Sequence, residues 1–295
     1  MERKYNNISE FTIEELIRYK SENPNQEIII ENSNKELNRT DSYSIEDMIK
    51  IKEKVKAIIE DIPKDITEPD REKKVFTYLY TKLAYMIEYD ELAESYVGLG
   101  GYEREMSEPI RNRASNLVGG LLHGRSLCGG YSEILRNILA ELGIESVYIS
   151  GEGKDGLGNH AWNQVKLDGN WYNVDLTNDR DAIVEGKNCS YFLKSNNEFG
   201  KYEEYNITSK TLHQCTDSFE NSNKLLEQYQ YVKPVVNHKS IAEADKSSKL
   251  TTSIIKNAKN IINRILNKEK EKREKAFRNT KFFLKIALFF EFIRI

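Results

Sequence analysis

Apolar residues recur at three- and four-residue spacing in several parts of the chain, which predicts amphipathic helices. The clearest stripe begins just after Gly129-Gly130 and ends at Gly143, a residue suited to the position that follows a helix. Its members are Tyr131, Ile134, Leu135, Ile138, Leu139 and Leu142. The sequence therefore predicts a helix with one buried face that begins close to Cys128.

Two earlier helices are predicted by similar spacing together with start and stop signals. Ser44 and Asp47 form a pattern like a capping box, and Pro63 ends the helix that follows them. A second helix begins near Pro69 and runs through Met86. The remaining predictions in this half are a short helix at 11–17, a strand at 28–30 followed by a polar loop, a loop at 98–108 and a helix at 109–122.

Alternating residues after Gly143 predict strands instead. We expect Ser146–Ser150, His160–Leu167 and Asn170–Val174, and Asp168-Gly169 is a typical hairpin turn between the last two. Tyr191–Leu193 is interpreted as a further strand, and residues 196–238 as irregular. Helices followed by antiparallel strands predict an α+β fold.

The chain has 295 residues, of which 39% are hydrophobic and 31% charged, so a wholly disordered chain is excluded. We expect a lead-in at 1–42, a main domain at 43–238 and a helical tail at 239–295. The tail holds 15 Lys and Arg against 6 Asp and Glu, whereas the rest holds 29 against 41. An acidic body argues against general nucleic-acid binding.

The few cysteines and the chain's first residues set expectations about location. Three cysteines exclude a disulfide scaffold and a cysteine-rich zinc module, and a reducing compartment fits them best. The chain opens without a secretory signal, and it has no run of about 20 apolar residues. We therefore expect a cytoplasmic protein.

The basic tail keeps three interpretations open. Its lysines and arginines, followed by the apolar stretch Phe282–Ile295, could lie on an anionic membrane surface. They could also pair with a partner helix, or pack on the acidic body of the chain.

Three residues in separate segments have the chemistry of a cysteine enzyme. Cys128 falls in the first turn of the predicted helix, where the free N–H groups and the helix dipole stabilise a thiolate and the Cys128 N–H could bind an oxyanion. His160 begins one strand of the predicted hairpin and Asp175 ends the other, so the two should meet as an imidazole–carboxylate pair. Taken singly, each residue is more often structural; their order and context together favour catalysis.

The motifs around these residues resemble the transglutaminase-like superfamily, in particular bacterial cysteine enzymes with a papain-like core. The resemblance rests on Cys128-Gly129-Gly130-Tyr131, His160-Ala161-Trp162 and Asp175-Leu176-Thr177, and covers roughly residues 70–195. It implies that Cys128 is the nucleophile, His160 the base and acid, and Asp175 the orienting carboxylate. Where the family often has an aromatic residue, this chain has Asn178-Asp179, which predicts a more polar wall.

Other residues near these motifs are candidates for substrate contact. They are Gly129, Tyr131, Trp162 and Asn163. Gly129 would let a substrate approach the backbone, and Tyr131 and Asn163 could face the cleft. Trp162 is expected more often as a core or cleft-wall residue than as a substrate platform.

The resemblance implies acyl transfer through a thioester on a protein or peptide substrate. Water as acceptor would make a peptidase or deamidase, and an amine would make a crosslinking enzyme. We favour hydrolysis because no second domain that would hold an acceptor lysine is evident. A non-catalytic scaffold of the same fold is the rival class, and we expect no metal or organic cofactor.

Overall fold

The computed structural model describes residues 3–5, 8–24, 29–34, 39–97, 101–155 and 157–232, all within the unit Met1–Lys233. The predicted tail at 239–295 lies outside the described residues. The boundaries proposed at 42 and 238 stay predictions. In the part of the chain that is described, no helix combines the length and apolar character needed to cross a membrane.

Among the described residues, seven α-helices lie in the first half of the chain and three in the second. They are α1 (Ile13–Glu22), α2 (Ile45–Glu60), α3 (Arg71–Met86), α4 (Glu91–Glu94), α5 (Gly101–Ala114), α6 (Leu117–His123), α7 (Cys128–Glu141), α8 (Leu176–Val184), α9 (Lys201–Glu204) and α10 (Ser222–Tyr229), with a 3-10 turn at Ile8–Glu10.

Strands form three separate sheets among the described residues. They are β1 (Arg3–Tyr5), β2 (Ile29–Asn34), β3 (Arg39–Ser44), β4 (Glu88–Tyr89), β5 (Arg125–Ser126), β6 (Ser146–Gly153), β7 (His160–Leu167), β8 (Asn170–Val174) and β9 (Tyr205–Ile207). The largest sheet is antiparallel and has the order β8-β7-β6-β9. The predicted α+β class is confirmed.

The predicted cap of α2 is confirmed, whereas α3 begins two residues after the proline that was predicted to open it. The Ser44 hydroxyl accepts a hydrogen bond from the Asp47 N–H at 3.0 Å, so it caps α2. Pro69 precedes α3 by two positions rather than opening it, because Asp70 occupies the cap with φ +58°. The helix therefore begins at Arg71.

Two predictions between α4 and α7 are wrong. Residues 101–108 are helical, not a loop, because α5 begins at Gly101. The helix predicted at 109–122 is two helices, broken after Ala114. The Asn116 side chain accepts a hydrogen bond from the Val118 N–H at 3.0 Å and so starts α6 as a separate element.

Three strand predictions also need correction. The polar loop expected after 28–30 contains β3, which pairs antiparallel with β2. Tyr191–Leu193 forms no strand, since only the next residue, Lys194, makes a bridge, to Asn173. The region expected to be irregular contains β9, the fourth strand of the main sheet.

One hydrophobic core joins the N-terminal segment to the helices and to the main sheet. The α7 stripe is buried against it as its spacing predicts, and Ile134, Leu135, Ile138 and Leu139 are inaccessible to solvent. Ile8, Phe11 and Leu16 belong to the same core. These three residues of the N-terminal segment therefore pack on the same core as the helices.

The turn of the β7–β8 hairpin is fixed to the start of α3. Asp168 has φ +48° and Gly169 φ +85°, as a tight two-residue hairpin turn requires. The Asp168 carboxylate pairs with the buried Lys73 ammonium at 2.9 Å, and the Asp168 N–H donates to the Glu72 carboxylate at 2.6 Å. These bonds hold the end of the hairpin that lies farthest from His160.

Replacing Asp168 by Asn should test this anchor. Asparagine tolerates the left-handed conformation, so the change removes the charge opposite a buried ammonium group and leaves the turn intact. We expect the free energy of unfolding to fall by about 1–3 kcal/mol, measured by urea denaturation. Glu185→Gln, which removes an exposed partner of Lys187, is the control and should change little. An unchanged unfolding free energy in Asp168→Asn would contradict the proposed role of the anchor.

Candidate active site

Cys128 is the first residue of α7, and its side chain is partly exposed. The preceding Leu127 has an extended backbone and makes no side-chain cap. Its carbonyl accepts hydrogen bonds from the N–H groups of Gly130 and Tyr131, at 3.0 and 3.1 Å. The sulfur therefore lies at the positive end of the helix dipole, next to N–H groups that have no acceptor within the helix.

Backbone pairing fixes the segment that leads into α7. Strand β4 pairs in parallel with β5, with Tyr89 opposite Ser126. The Asp90 N–H donates to the Ser126 carbonyl at 3.0 Å, and the Leu127 N–H donates to the Ala114 carbonyl at 2.8 Å. Elements from both sides therefore set the position of Cys128.

Gly130 is required for this close packing. A Cβ atom at Gly130 would lie 2.0 Å from Ser126 Oγ and 2.6 Å from the Ala114 carbonyl oxygen. The Ser126 hydroxyl donates to that same carbonyl at 2.8 Å, so it has little freedom to move aside. The glycine lets the start of α7 lie directly against the loop behind it.

The β7–β8 hairpin brings His160 and Asp175 together. His160 Nε2 lies 2.7 Å from Asp175 Oδ2. The other carboxylate oxygen of Asp175 accepts a hydrogen bond from the Asn178 N–H at 3.2 Å, so Asp175 also caps α8. The carboxylate is inaccessible to solvent, and one oxygen orients the imidazole while the other starts a helix.

The Cys128 thiol also interacts with His160, closely enough to raise the pKa of the imidazole. Because Nε2 faces Asp175, the remaining ring nitrogen, Nδ1, is the one available to the sulfur. The structure therefore brings sulfur, imidazole and carboxylate into one chain of contacts.

The pKa of His160 reflects this environment. Burial lowers it, but the hydrogen bonds and charges of Asp175 and Cys128 raise it more, to about 9 from an ordinary value of 6.5. The imidazole is therefore held as a cation across the neutral range.

An open cleft of about 710 Å³ borders His160. It is lined by Glu88, Tyr89, Glu91, Leu92, Arg125, His160, Thr177, Asn178, Arg180 and Asp181. Thr177 and Asn178 provide the polar wall that the sequence predicts. Asp179 does not belong to it, because its side chain is buried.

The structure buries all four candidate substrate contacts, and three of them have side chains. The Tyr131 hydroxyl donates to the Ile87 carbonyl at 2.7 Å, and the Asn163 amide donates to the Ser132 carbonyl at 3.1 Å. Trp162 is fully buried against Phe199. The prediction that Tyr131 and Asn163 face the cleft is therefore wrong, because their side chains bond inside the protein, whereas Trp162 lies in the core as the sequence favoured.

Gly129 is buried as well, and a Cβ atom there would lie 3.1 Å from the Tyr148 hydroxyl oxygen. It therefore lets α7 pack against strand β6, which the sequence did not indicate. The predicted approach of a substrate to its backbone stays a prediction.

Two buried titratable residues lie beside the site: Asp179, which the sequence placed on the cleft wall, and Lys201, which the sequence did not indicate. Asp179 accepts hydrogen bonds from the Tyr80 hydroxyl and from the N–H groups of Ser190 and Tyr191, and burial raises its pKa to about 7. Lys201 lies with its Nζ atom 4.0 Å from Asp175 Oδ2. Neither residue belongs to a recognisable motif, although Asp179 follows Asp175 by one helical turn.

The other cysteines lie away from the His160 contacts. Burial raises the pKa of both the Cys189 and the Cys215 thiols. His213 and Cys215 lie two positions apart in the sequence, and both are potential metal ligands. The described residues contain no group of three or more His, Cys, Asp or Glu side chains placed to hold a metal ion.

Comparison with known proteins identifies the segment that carries these residues. The model of the transglutaminase-like superfamily matches residues 52–176, which include Cys128, His160 and Asp175. No curated protein gives a significant match to the chain. Members of this superfamily are typically cysteine enzymes, and the match supports that general class.

Two solved structures are similar to parts of the chain. One is a TGase, with 17% sequence identity and a TM-score of 0.34 over 45% of this chain and 32% of that one. The other is a proposed cysteine protease from Cytophaga hutchinsonii, with 13% identity and a TM-score of 0.30 over 43% and 37%. The chain thus spans about a third of the length of each.

The family match and the arrangement of α7 against the antiparallel sheet agree with the fold that the motifs imply. The chain contains a transglutaminase-like domain, which spans residues 52–176.

Proposed function

We propose that the protein is a cysteine-dependent acyl-transfer enzyme that acts on peptide or glutamine-type amides. The observation that carries the proposal is the contact series from the Cys128 thiol to His160 and on to the buried Asp175 carboxylate, 2.7 Å from Nε2. An activated thiol, a base and a group that orients the base are the parts that nucleophilic catalysis requires.

The chemistry would proceed in two halves. The Cys128 sulfur, its proton transferred to His160, forms a bond to the amide carbon, and His160 returns that proton to the leaving nitrogen as the carbon–nitrogen bond breaks. The Cys128 N–H, at the start of α7, is a candidate donor to the oxyanion. In the second half His160 deprotonates the acceptor, which attacks the thioester and releases the sulfur.

Hydrolysis is the outcome that we favour for the second half. The cleft beside His160 is open and mostly polar, so water can reach the imidazole that would deprotonate it. Crosslinking is the second candidate, because the Glu91 carboxylate lines the same cleft and would attract an amine acceptor, whereas Glu88 and Asp181 are paired with Arg125 and Arg180. A non-catalytic scaffold would need none of these contacts, and the thiol reactivity described next separates it from an enzyme.

The proposal predicts an unusually reactive Cys128 below neutral pH. Because His160 stays cationic up to about pH 9, it keeps a positive charge beside the sulfur at pH 6, and such a charge activates a cysteine as a nucleophile. Alkylation by iodoacetamide at pH 6, quantified by peptide mass spectrometry, should be at least about tenfold faster than that of a free cysteine. Cys189 and Cys215 act as internal controls, since both are buried.

His160→Gln is the matched variant, because glutamine can still hydrogen-bond Asp175 but cannot carry the proton. It should abolish the excess reactivity at pH 6. A wild-type Cys128 that reacts like an ordinary thiol at that pH would favour the scaffold.

The raised pKa of His160 also predicts how stability depends on pH. Since the folded pKa is about 9 and the ordinary value is 6.5, protonation favours the folded state. The stabilisation is fully present below about pH 6.5 and is lost as the pH rises through about 9. The difference in unfolding free energy between wild type and His160→Gln should shrink by up to about 3 kcal/mol between pH 6 and pH 9.5, measured by urea denaturation. A difference that stays constant with pH would contradict the assignment.

Substrates can be identified with a Cys128→Ala variant, which should bind a substrate without forming the thioester. We expect proteins captured from lysate by this variant to be altered by the wild type in one of three ways. Glutamine converted to glutamate indicates a deamidase, new peptide ends indicate a peptidase, and amine adducts indicate crosslinking, all read by mass spectrometry. Captured proteins that wild type and His160→Gln leave equally unaltered would count against the enzyme.

A further inference from the structure

Lys201 is a buried cation next to the proposed catalytic residues. It is the first residue of α9, and its side chain is only 5% exposed. Its Nζ atom lies 4.0 Å from Asp175 Oδ2, the oxygen that faces His160 Nε2. One buried carboxylate oxygen therefore faces two groups that can carry positive charge.

Aromatic rings and a second carboxylate hold Lys201 in this position. Its Nζ atom lies 4.6 Å from the ring centre of Tyr191 and 5.6 Å from that of Tyr205. Glu204 Oε2 lies 3.3 Å away. Burial lowers the pKa of Lys201, but Asp175 and the other neighbours raise it above the ordinary value, so the ammonium group keeps its charge.

The edge of the sheet brings this lysine to the site. Strand β9, just after α9, pairs with β6 at Gly151, and Gly151 also pairs with His160 across the sheet. A Cβ atom at Gly151 would lie 2.8 Å from Tyr205 Cβ, so only glycine allows this approach. The Tyr205 ring then lies 5.6 Å from the imidazole of His160.

Charge sharing at Asp175 affects the imidazole. The two contacts to Oδ2 place the Lys201 ammonium within about 7 Å of His160 Nε2. A buried positive charge at that distance opposes the charge on the imidazole, while Asp175 favours it. The Lys201 ammonium group also gives Asp175 a counter-charge when His160 becomes neutral.

We propose that Lys201 is a positioning residue that shares the Asp175 carboxylate with His160 and thereby limits how tightly the imidazolium is held. The inference rests on the proposed function, in which His160 must give its proton to the leaving nitrogen and later act as a base. An imidazolium held too firmly by a buried carboxylate would do both poorly. Lys201 keeps the carboxylate charged and weakens its hold on the proton.

The charged and titratable groups around this pair come from several elements. They are Asp175, Cys128, Tyr191, Glu204 and Tyr205, with Asp179 and Tyr80 on the far side of Asp175. These groups are carboxylates, phenols and one thiol, so Lys201 is the one positive charge beside His160 among them. Removing Lys201 therefore leaves no group of this set that opposes the positive charge on the imidazole.

The test is an NMR titration of His160 in Lys201→Met, which keeps the length of the side chain and removes its charge. Selective labelling gives signals from four histidines, and His160→Gln identifies the one of interest. We expect the midpoint of the His160 titration to rise by about one pH unit. Lys201→Arg should restore a midpoint near the wild-type value, and Lys210→Met, which removes an exposed lysine, is the control for a general loss of charge.

Glu204→Gln provides a second measurement that does not depend on Lys201→Met folding. It removes the other carboxylate partner of Lys201, so more of the ammonium charge acts on Asp175 and His160. The midpoint of the His160 titration should therefore fall. A midpoint that is unchanged in folded Lys201→Met, or in Glu204→Gln if the methionine variant does not fold, would overturn the inference.

The iodoacetamide assay on the wild type keeps the two proposals separate. If Cys128 is not activated in the wild type but the His160 midpoint moves as expected, the proposed function fails and the coupling between Lys201 and His160 stands. If Cys128 is activated and the midpoint does not move, the proposed function stands and this role of Lys201 fails.

Discussion

The structure around the site depends on a carboxylate buried without access to water. A charge in that position must be matched by hydrogen bonds and by opposite charge, because desolvation otherwise costs several kcal/mol. Asp175 meets this requirement with the His160 imidazole, the Asn178 N–H and the nearby Lys201 ammonium. Strand β8, helix α8 and helix α9 therefore meet at one residue, and the orientation of the imidazole follows from that meeting.

Contacts at other positions fix the elements that carry these residues. The β7–β8 hairpin is held by Lys73 at its turn and by Asp175 at its open end. Helix α7 lies directly against the loop behind it because residue 130 is a glycine, and a Cβ atom there would collide with that loop. The relative position of sulfur and imidazole is thus set by backbone pairing and packing rather than by the flexible side chains themselves.

Much of this arrangement could be predicted from the sequence. The α7 stripe, the β7 and β8 boundaries and the Asp168-Gly169 turn depend on local patterns, and the structure agrees with them. Because an antiparallel hairpin has a simple register, the meeting of His160 with Asp175 also followed from local information. Motif order then indicated the family.

What could not be predicted depends on contacts between distant segments. Strand β9 has three residues, too few for a clear alternating pattern, and it forms because β6 offers an unpaired edge. Asn163 lies beside a family motif, and nearness in sequence did not reveal that its side chain bonds inside the core. Lys201 resembles any surface lysine until the fold buries it beside Asp175.

The edge strand also bears on where a minimal soluble fragment could end. The family match stops at residue 176, whereas β9 and the Tyr191 carbonyl that accepts the Asp175 N–H come later in the chain. A recombinant fragment cut at 176 would retain sulfur, imidazole and carboxylate but would expose the N–H and C=O groups of β6 at Gly151–Gly153. Uncovered sheet edges promote strand-to-strand aggregation, so such a fragment would tend to precipitate even though its motifs are complete.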